Sequence, residues 1–122
     1  METTFYSIDK ETKVINVCFG QILSSTHFDD LFSHIISDDL FSDEYNFVFN
    51  SVNSRWNHST PSDIQKAADR IRKRKKRISS AACVIQNLGQ IAYLDALLLG
   101  SERFIVTYFP TEALALRFLG SN

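Results

Sequence analysis

The alternation of apolar and polar residues predicts two strands at the start of the chain. Residues 3–8 and 13–19 alternate with the period of a strand, and a polar turn at 9–12 separates them. Within the second strand the side chains on both sides are largely apolar, from Val14 to Phe19. A strand that is apolar on both sides is typical of a sheet interior. We therefore expect a hairpin whose second strand is covered on both faces.

The next segment has helical periodicity. Its apolar residues recur at i, i+3, i+4 and i+7, at positions Phe28, Leu31, Phe32 and Ile35. This spacing predicts a helix over residues 24–37 with one apolar stripe facing the core. The N-cap is expected at Ser25 or Thr26. An acidic connection over 38–44 then leads to a third predicted strand over 45–50.

A long polar segment, residues 51–59, precedes the second predicted helix. Thr60 is the expected N-cap, Pro61 occupies the first helical position and Asp63 lies three residues beyond the cap. The apolar stripe of this helix is expected to consist of Ile64, Ala67, Ala68, Ile71 and Ile78. A strand followed by a polar turn and a helix start can hold an anion or a phosphorylated hydroxyl, so this segment is a functional candidate.

Strands and helices continue to alternate to the end of the chain. The pattern predicts a buried strand over 80–86, a helix over 88–99 closed by Gly100, a strand over 103–109 and a final helix from Pro110 to Gly120. The order ββαβαβαβα indicates a single α/β domain, residues 1–122, with a mixed sheet that contains parallel pairs.

The third predicted helix is apolar on nearly every face. A helix of this kind is either deeply buried or part of an interface. We expect a homodimer with Leu94, Leu97 or Leu98 near the contact. The alternative is that the C-terminal helix covers the spare face.

Charge is unevenly spread along these 122 residues, although the net charge is only −1. Residues 1–50 hold nine acidic and two basic side chains, whereas residues 51–122 hold five acidic and eleven basic ones. Seven of the thirteen basic residues lie between Arg70 and Arg77. This run is either a solvated helix face or a docking surface for an anionic partner.

A docking surface would use the exposed side of the second helix and the turn before it. The candidate partner-binding residues are Trp56, His58, Arg72, Lys73, Lys76 and Arg77. Nucleic acid is the less favoured partner, because no aromatic residue lies within the basic run. An anionic membrane or an acidic protein remains open.

Catalytic and metal motifs are missing from the sequence. No phosphate-cradling glycine loop, nucleophile elbow or CxxC occurs, and the three histidines lack metal spacing. We therefore expect neither an enzyme nor a cofactor. Cys18 and Cys83 are expected to be free thiols. The acidic N-terminus is unlike a signal peptide and no run is long enough to cross a bilayer, so we expect a cytoplasmic protein without a transmembrane segment.

Three segments together resemble the STAS domain family, which includes the SpoIIAA-like anti-sigma factor antagonists. They are the strand YNFVFN running into a Ser/Thr-bearing turn and a helix, the buried strand AACVIQ followed by an apolar helix, and the C-terminal RFIVTYFPTEALALRFLG. In that family the turn often reads Asp-Ser-Ser-Gly or Asp-Thr-Gly, and its Ser or Thr is phosphorylated by a partner kinase. Here the turn reads His58-Ser59-Thr60-Pro61.

The resemblance implies a bacterial regulatory module that binds a protein partner without catalysis. It makes Thr60 the first candidate phospho-acceptor and Ser59 the second. The STAS-like and CRAL-TRIO-like folds look alike at this level, so a small-ligand or lipid carrier is the alternative. A cavity lined by phenylalanines would favour the carrier, and a closed core would favour the partner-binding module.

Overall fold

The computed structural model of this protein describes residues 4–56 and 60–120. The described residues form seven strands and four helices. In chain order these are β1 (Phe5–Asp9), β2 (Val14–Cys18), β3 (Ile22–Leu23), α1 (Ser25–Ser37), β4 (Asn46–Asn50), β5 (Arg55–Trp56), α2 (Pro61–Arg74), β6 (Ser79–Val84), α3 (Gly89–Leu98), β7 (Phe104–Phe109) and α4 (Glu112–Gly120).

Five of the strands form one mixed sheet in the order β1-β2-β4-β6-β7. β1 is antiparallel to β2, and every later pair is parallel. The three crossovers from β2 to β7 all step in the same direction across the sheet. With the usual right-handed connection, their helices therefore lie on one face. This is the mixed α/β domain that the element order predicts.

The two faces of the sheet support two separate hydrophobic clusters. On one face, Ile15, Phe49 and Cys83 pack beneath the helices α1, α2 and α3. On the other face, Val48 and Ala82 pack beneath α4 alone. Alternate residues of each strand thus serve different layers, which explains why these strands are apolar on both sides.

Phenylalanine rings fill the layer between the sheet and its three helices. The ring centroids of Phe47 and Phe49 are 5.1 Å apart, and Phe28 of α1 lies 5.4 Å from Phe49. Phe32 lies 5.9 Å from Phe47, and Phe104 meets the Phe47 ring edge-on at 5.4 Å. Rings at these separations are in direct contact, so this layer is packed with aromatic side chains and is a closed core.

A polar cluster fixes the start of α4 over the second face. Thr111 caps the helix, with its Oγ1 accepting from the Leu114 N–H at 3.3 Å. The Glu112 carboxylate accepts hydrogen bonds from the side-chain amides of Asn16, at 2.6 Å, and Asn50, at 3.4 Å. These bonds tie the last helix of the chain to β2 and β4.

Most predicted elements are confirmed, with three corrections in the first two helices and the loop between them. α1 is capped by Ser24, one residue before the predicted caps, and its Oγ accepts from the His27 N–H at 3.2 Å. Ile78 lies beyond the end of α2 and is 63% exposed, so it is not part of the helix stripe. The segment after β4 is not wholly irregular, because Arg55 pairs with Ile22 in a short parallel ladder between β5 and β3.

The burial of three α3 leucines contradicts the predicted dimer contact. These α3 residues, Leu94, Leu97 and Leu98, are each 0% exposed and pack in the core cluster that α3 shares with the sheet. They offer no surface to a second copy, so assigning the contact to them is wrong. Gly100 follows α3, and a Cβ there would lie 2.2 Å from the Ala96 carbonyl oxygen of the same helix, so the turn that ends α3 requires glycine.

Candidate functional site

The loop after β4 is held by a buried glutamine at the start of α3. The Gln90 side chain is 3% exposed, and its Nε2 donates to the carbonyl oxygens of Ser51, at 2.7 Å, and Ser54, at 2.9 Å. The Ser54 hydroxyl in turn donates to the Gly20 carbonyl at 2.6 Å. These bonds give residues 51–54 a fixed position at the carboxyl edge of the parallel strands.

Thr60 begins α2 with a complete capping box. Its Oγ1 accepts from the Asp63 N–H at 3.1 Å, and the Asp63 carboxylate accepts from the Thr60 N–H at 3.4 Å. Pro61 follows at the first helical position. The predicted helix start is therefore confirmed. The carboxylate of Asp63 already occupies the positive end of this helix.

A groove of about 630 Å³ lies between α2 and α3, beside the capped helix start. Its floor on α3 consists of small residues four apart, Ala92, Ala96 and Gly100. On the α2 side it is bordered by Pro61 and Ile64. The three small residues on α3 leave room for apolar groups of another molecule.

A carboxylate adds a polar group to this groove. Asp95 lines it and accepts a short hydrogen bond from the hydroxyl of Tyr108 on β7. Burial, reinforced by the bond to Asp95, raises the pKa of Tyr108 far above its usual range, so the hydroxyl stays a donor. Burial likewise raises the pKa of the nearby Cys83 thiol, which is inert as a nucleophile.

The basic run pairs with α1 through a single aspartate. Arg70 Nη1 lies 2.8 Å from Asp29 Oδ2, and Arg74 Nη1 lies 3.5 Å from Asp29 Oδ1. Arg74 also donates a short hydrogen bond to the Ser33 hydroxyl. The Asp29 side chain is only 13% exposed, so these two arginines neutralise a carboxylate that is largely removed from water.

Lys75, directly after α2, is fully buried at 0% exposure. Its Nζ donates to the carbonyl oxygens of Asp43, at 2.6 Å, and Arg77, at 2.8 Å, and lies 3.4 Å from Asp43 Oδ1. The ammonium is also 5.5 Å from the centre of the Phe104 ring. Burial lowers the pKa of Lys75, and the Asp43 charge opposes that shift. This residue is structural and is not part of any exposed basic face.

The same aspartate holds the chain that leaves α2. Asp43 Oδ2 accepts from the backbone N–H groups of Lys76, at 2.9 Å, and Arg77, at 2.7 Å. The acidic connection between α1 and β4 is thereby bound to the connection between α2 and β6. Three hydrogen-bonded contacts of one carboxylate make Asp43 a centre of this part of the fold.

Two predicted partner-binding arginines have exposed acidic neighbours. Arg72 lies 3.0 Å from Asp69 and 3.5 Å from Glu102, and Arg77 lies 3.3 Å from Glu44. Exposed pairs contribute little to stability. Their effect here is to neutralise charge at the surface.

Lys73 and Lys76 are exposed, and neither has an acidic partner in the part of the chain that the structure describes. Of the predicted surface, Arg72, Lys73 and Lys76 lie near the C-terminal end of α2, opposite to Thr60. His58 and Ser59 lie outside the described residues, and the side chain of Trp56 does too. The structure therefore does not bring the basic residues and the Thr60 turn together.

Sequence reasoning missed Gln90, the groove and the paired role of the basic run. The small residues of α3 recur every four positions, which is a detectable signal for a shallow helix face. The acidic excess of residues 1–50 beside the basic excess of residues 51–122 is a second signal, since it suits internal pairing as well as docking. Gln90 carries no such signal, because one polar residue in an apolar helix does not reveal its partners.

The described residues contain neither a metal-binding cluster nor a membrane-spanning helix. Across residues 4–56 and 60–120, His, Cys, Asp and Glu side chains form no cluster of three that could hold a metal ion. No helix in those ranges is long and apolar enough to cross a membrane. Cys83 is a free, buried thiol, as predicted, and Cys18 is partly exposed.

Comparison with known proteins adds no identification: no family model, no curated protein and no solved structure matches the chain.

The capping box predicts a specific stability pattern at Thr60. Thr60→Ala should lower the free energy of unfolding by about 1 kcal/mol, because the Asp63 N–H loses its acceptor. Thr60→Ser is the matched control and should stay close to the wild type, since it keeps the hydroxyl. Urea unfolding measures both variants. Equal stability of the alanine and serine variants would show that the cap contributes nothing.

The ion pairs predict that the basic run has two parts with different energetics. Replacing Arg72, Lys73, Lys76 and Arg77 with Gln should change the free energy of unfolding by less than about 1 kcal/mol, because these groups are exposed.

Replacing only Arg70 and Arg74 with Gln should cost about 1–2 kcal/mol, because the Asp29 carboxylate then lacks a cation. Urea unfolding of the two variants side by side makes the comparison. A larger loss in the fourfold variant than in the twofold variant would contradict the assignment of the structural pairs.

Proposed function

We propose that this protein is a non-catalytic regulatory module that binds a protein partner, in the manner of the anti-sigma factor antagonists of the STAS family. The contact surface in this proposal is the start of α2 together with the groove between α2 and α3. The basic residues at the other end of α2 contribute at most Lys73 and Lys76.

The observation that carries the proposal is the groove beside the capped helix start. Ala92, Ala96 and Gly100 leave an apolar concave surface between two helices, with Asp95 and Tyr93 as polar groups along it. Concave apolar surfaces with a few polar groups are the usual form of binding sites. A helix or extended segment of a partner would bury this surface and contact Thr60 at its end.

The order of the strands supports the resemblance on which this function rests. An N-terminal antiparallel pair is followed by parallel strands whose crossover helices share a face, and a closing helix covers the opposite face. The third predicted strand, β4, is followed by residues 51–54, which Gln90 holds in place, and then by the N-terminus of α2, where the family has its phospho-acceptor. Fold alone does not establish function, so the site has to carry the proposal.

Thr60 supplies the regulation in this proposal. A phosphate on its hydroxyl would lie at the positive end of the helix but also beside the Asp63 carboxylate three residues on, which now completes the capping box. Repulsion between the two anions would break the box and reshape the end of the groove. Modification would thus act on the partner-binding surface directly.

Neither alternative function has an observation in its favour. The carrier needs a cavity lined by phenylalanines, whereas the phenylalanines of the three-helix layer contact one another. The anionic-partner binder needs unpaired positive charge, whereas five of the seven basic residues from Arg70 to Arg77 have acidic neighbours.

The test is affinity capture from cells of the source organism with three forms of the chain. Ala96→Arg places a long charged side chain in the groove. Ala113→Arg is the matched control, because Ala113 is an exposed alanine of α4, across the sheet from the groove. Intact mass of the protein from those cells reports phosphorylation at Thr60 or Ser59 in the same preparation.

We expect the wild type and Ala113→Arg to retain the same protein in stoichiometric amount. For that protein, Ala96→Arg should raise the Kd at least tenfold, about 1.4 kcal/mol. Equal binding by all three forms would contradict the groove as the contact. Failure of the wild type to retain any protein would contradict the function itself.

A further inference from the structure

The edge strand β7 is an open hydrogen-bonding surface. Among residues 4–56 and 60–120 it ends the five-stranded sheet and pairs only with β6, on one side. The Ser79 N–H donates to the Arg103 carbonyl and the Ile85 N–H to the Phe109 carbonyl, so the odd-numbered residues of β7 point their backbone groups at β6. In a parallel pair the alternate residues point away. Phe104, Val106 and Tyr108 therefore present N–H and C=O groups at the free edge.

The sequence of this edge has none of the features that protect an exposed strand. Phe104–Phe109 is six residues long and contains no charge, proline or glycine. Ile105 within this strand is 62% exposed, and Phe118 of α4, whose ring centre lies 5.2 Å from that of Phe109, is 36% exposed. Natural edge strands are usually short, charged or covered, so a long apolar edge indicates a surface that is covered in solution.

We propose that β7 pairs antiparallel with β7 of a second copy of this chain, forming a dimer with a continuous ten-stranded sheet. A two-fold axis at Val106 sets Val106 opposite its own copy, and Phe104 opposite Tyr108 of the second copy. Each of these pairs exchanges both backbone hydrogen bonds. Between them, Ile105 packs against Thr107 of the second copy in the closer, non-hydrogen-bonded position.

Self-pairing fits this edge better than pairing with the other edge of the sheet. β1 ends in Asp9, is followed by Lys10, and places Ser7 and Asp9 in exposed positions. Pairing β7 with β1 of another copy would also leave an edge open at each end and extend into a filament, whereas the two-fold pairing of β7 with itself closes. The paired strand segments, Phe104–Phe109, are uncharged, so no repulsion opposes the arrangement.

The test compares two variants that leave the bonds between β6 and β7 in place. Val106→Pro removes an outward N–H, at a position where an edge strand tolerates proline, and it also replaces a side chain that is partly buried against the core. Val106→Thr is its control, with the N–H and the branched side chain kept. Ile105→Lys keeps every backbone N–H and C=O group and adds a charge beside the two-fold axis. Circular dichroism and thermal melting check that each variant is folded.

Sedimentation velocity over a concentration series and amide exchange measured by NMR give the result. We expect the wild type and Val106→Thr to dimerise, and Val106→Pro and Ile105→Lys to be folded with a dimer Kd raised at least tenfold, about 1.4 kcal/mol. The amide protons of Val106 and Tyr108 should exchange more slowly as the wild-type concentration rises. A wild type that is monomeric at every concentration, or a dimer that both variants leave intact, would overturn the proposal.

Discussion

A buried lysine joins the two halves of this domain. Lys75 ends the basic helix α2, yet its ammonium has no contact with solvent and is held by Asp43 of the α1–β4 connection and by backbone carbonyls. Burying a charge is unfavourable unless it is paired and hydrogen-bonded. The end of α2, the start of β6 and the preceding connection must therefore adopt the positions that supply these partners. The Phe104 ring under the ammonium extends the same constraint to β7.

This arrangement gives the uneven charge of the sequence an internal use. The acidic first half and the basic second half meet along α1 and α2, where Asp29 and Asp43 face Arg70, Arg74 and Lys75. Positive charge that looks available in the sequence is largely neutralised in the fold. The exposed surface of α2 and of the residues that follow it is left with three cations without acidic neighbours among the described residues, Lys66, Lys73 and Lys76. The other end of the helix carries Thr60 and lies beside the groove.

Features that depend on local sequence could be predicted, and those that depend on distant partners could not. The capping box at Thr60 follows from residues within one turn, and the order of helices and strands along the chain follows from hydrophobic periods. The β3–β5 ladder was missed because two residues on each side give no period. The sequence predicts a dimer contact at Leu94, Leu97 or Leu98 because an apolar helix does not show which of its faces is covered.

For a similar reason the sequence places Lys75 in a basic run that is either a solvated helix face or a docking surface. Its sequence neighbours are all basic, and only the distant acidic connection shows that its position is enclosed. Gln90 belongs to the same class, since its role depends on carbonyl groups of Ser51 and Ser54 that lie more than thirty residues away. Buried polar residues in general acquire their function from tertiary contacts, which a single sequence does not reveal.

A double-mutant cycle between Asp43 and Lys75 tests the central claim most directly. The free energy of unfolding is measured in urea for the wild type, Asp43→Ala, Lys75→Met and the combined variant. If the buried pair holds the domain together, the single changes should not add, and the coupling energy should exceed about 1 kcal/mol. Additive effects, with a coupling energy near zero, would contradict it and show that the two residues stabilise the fold independently.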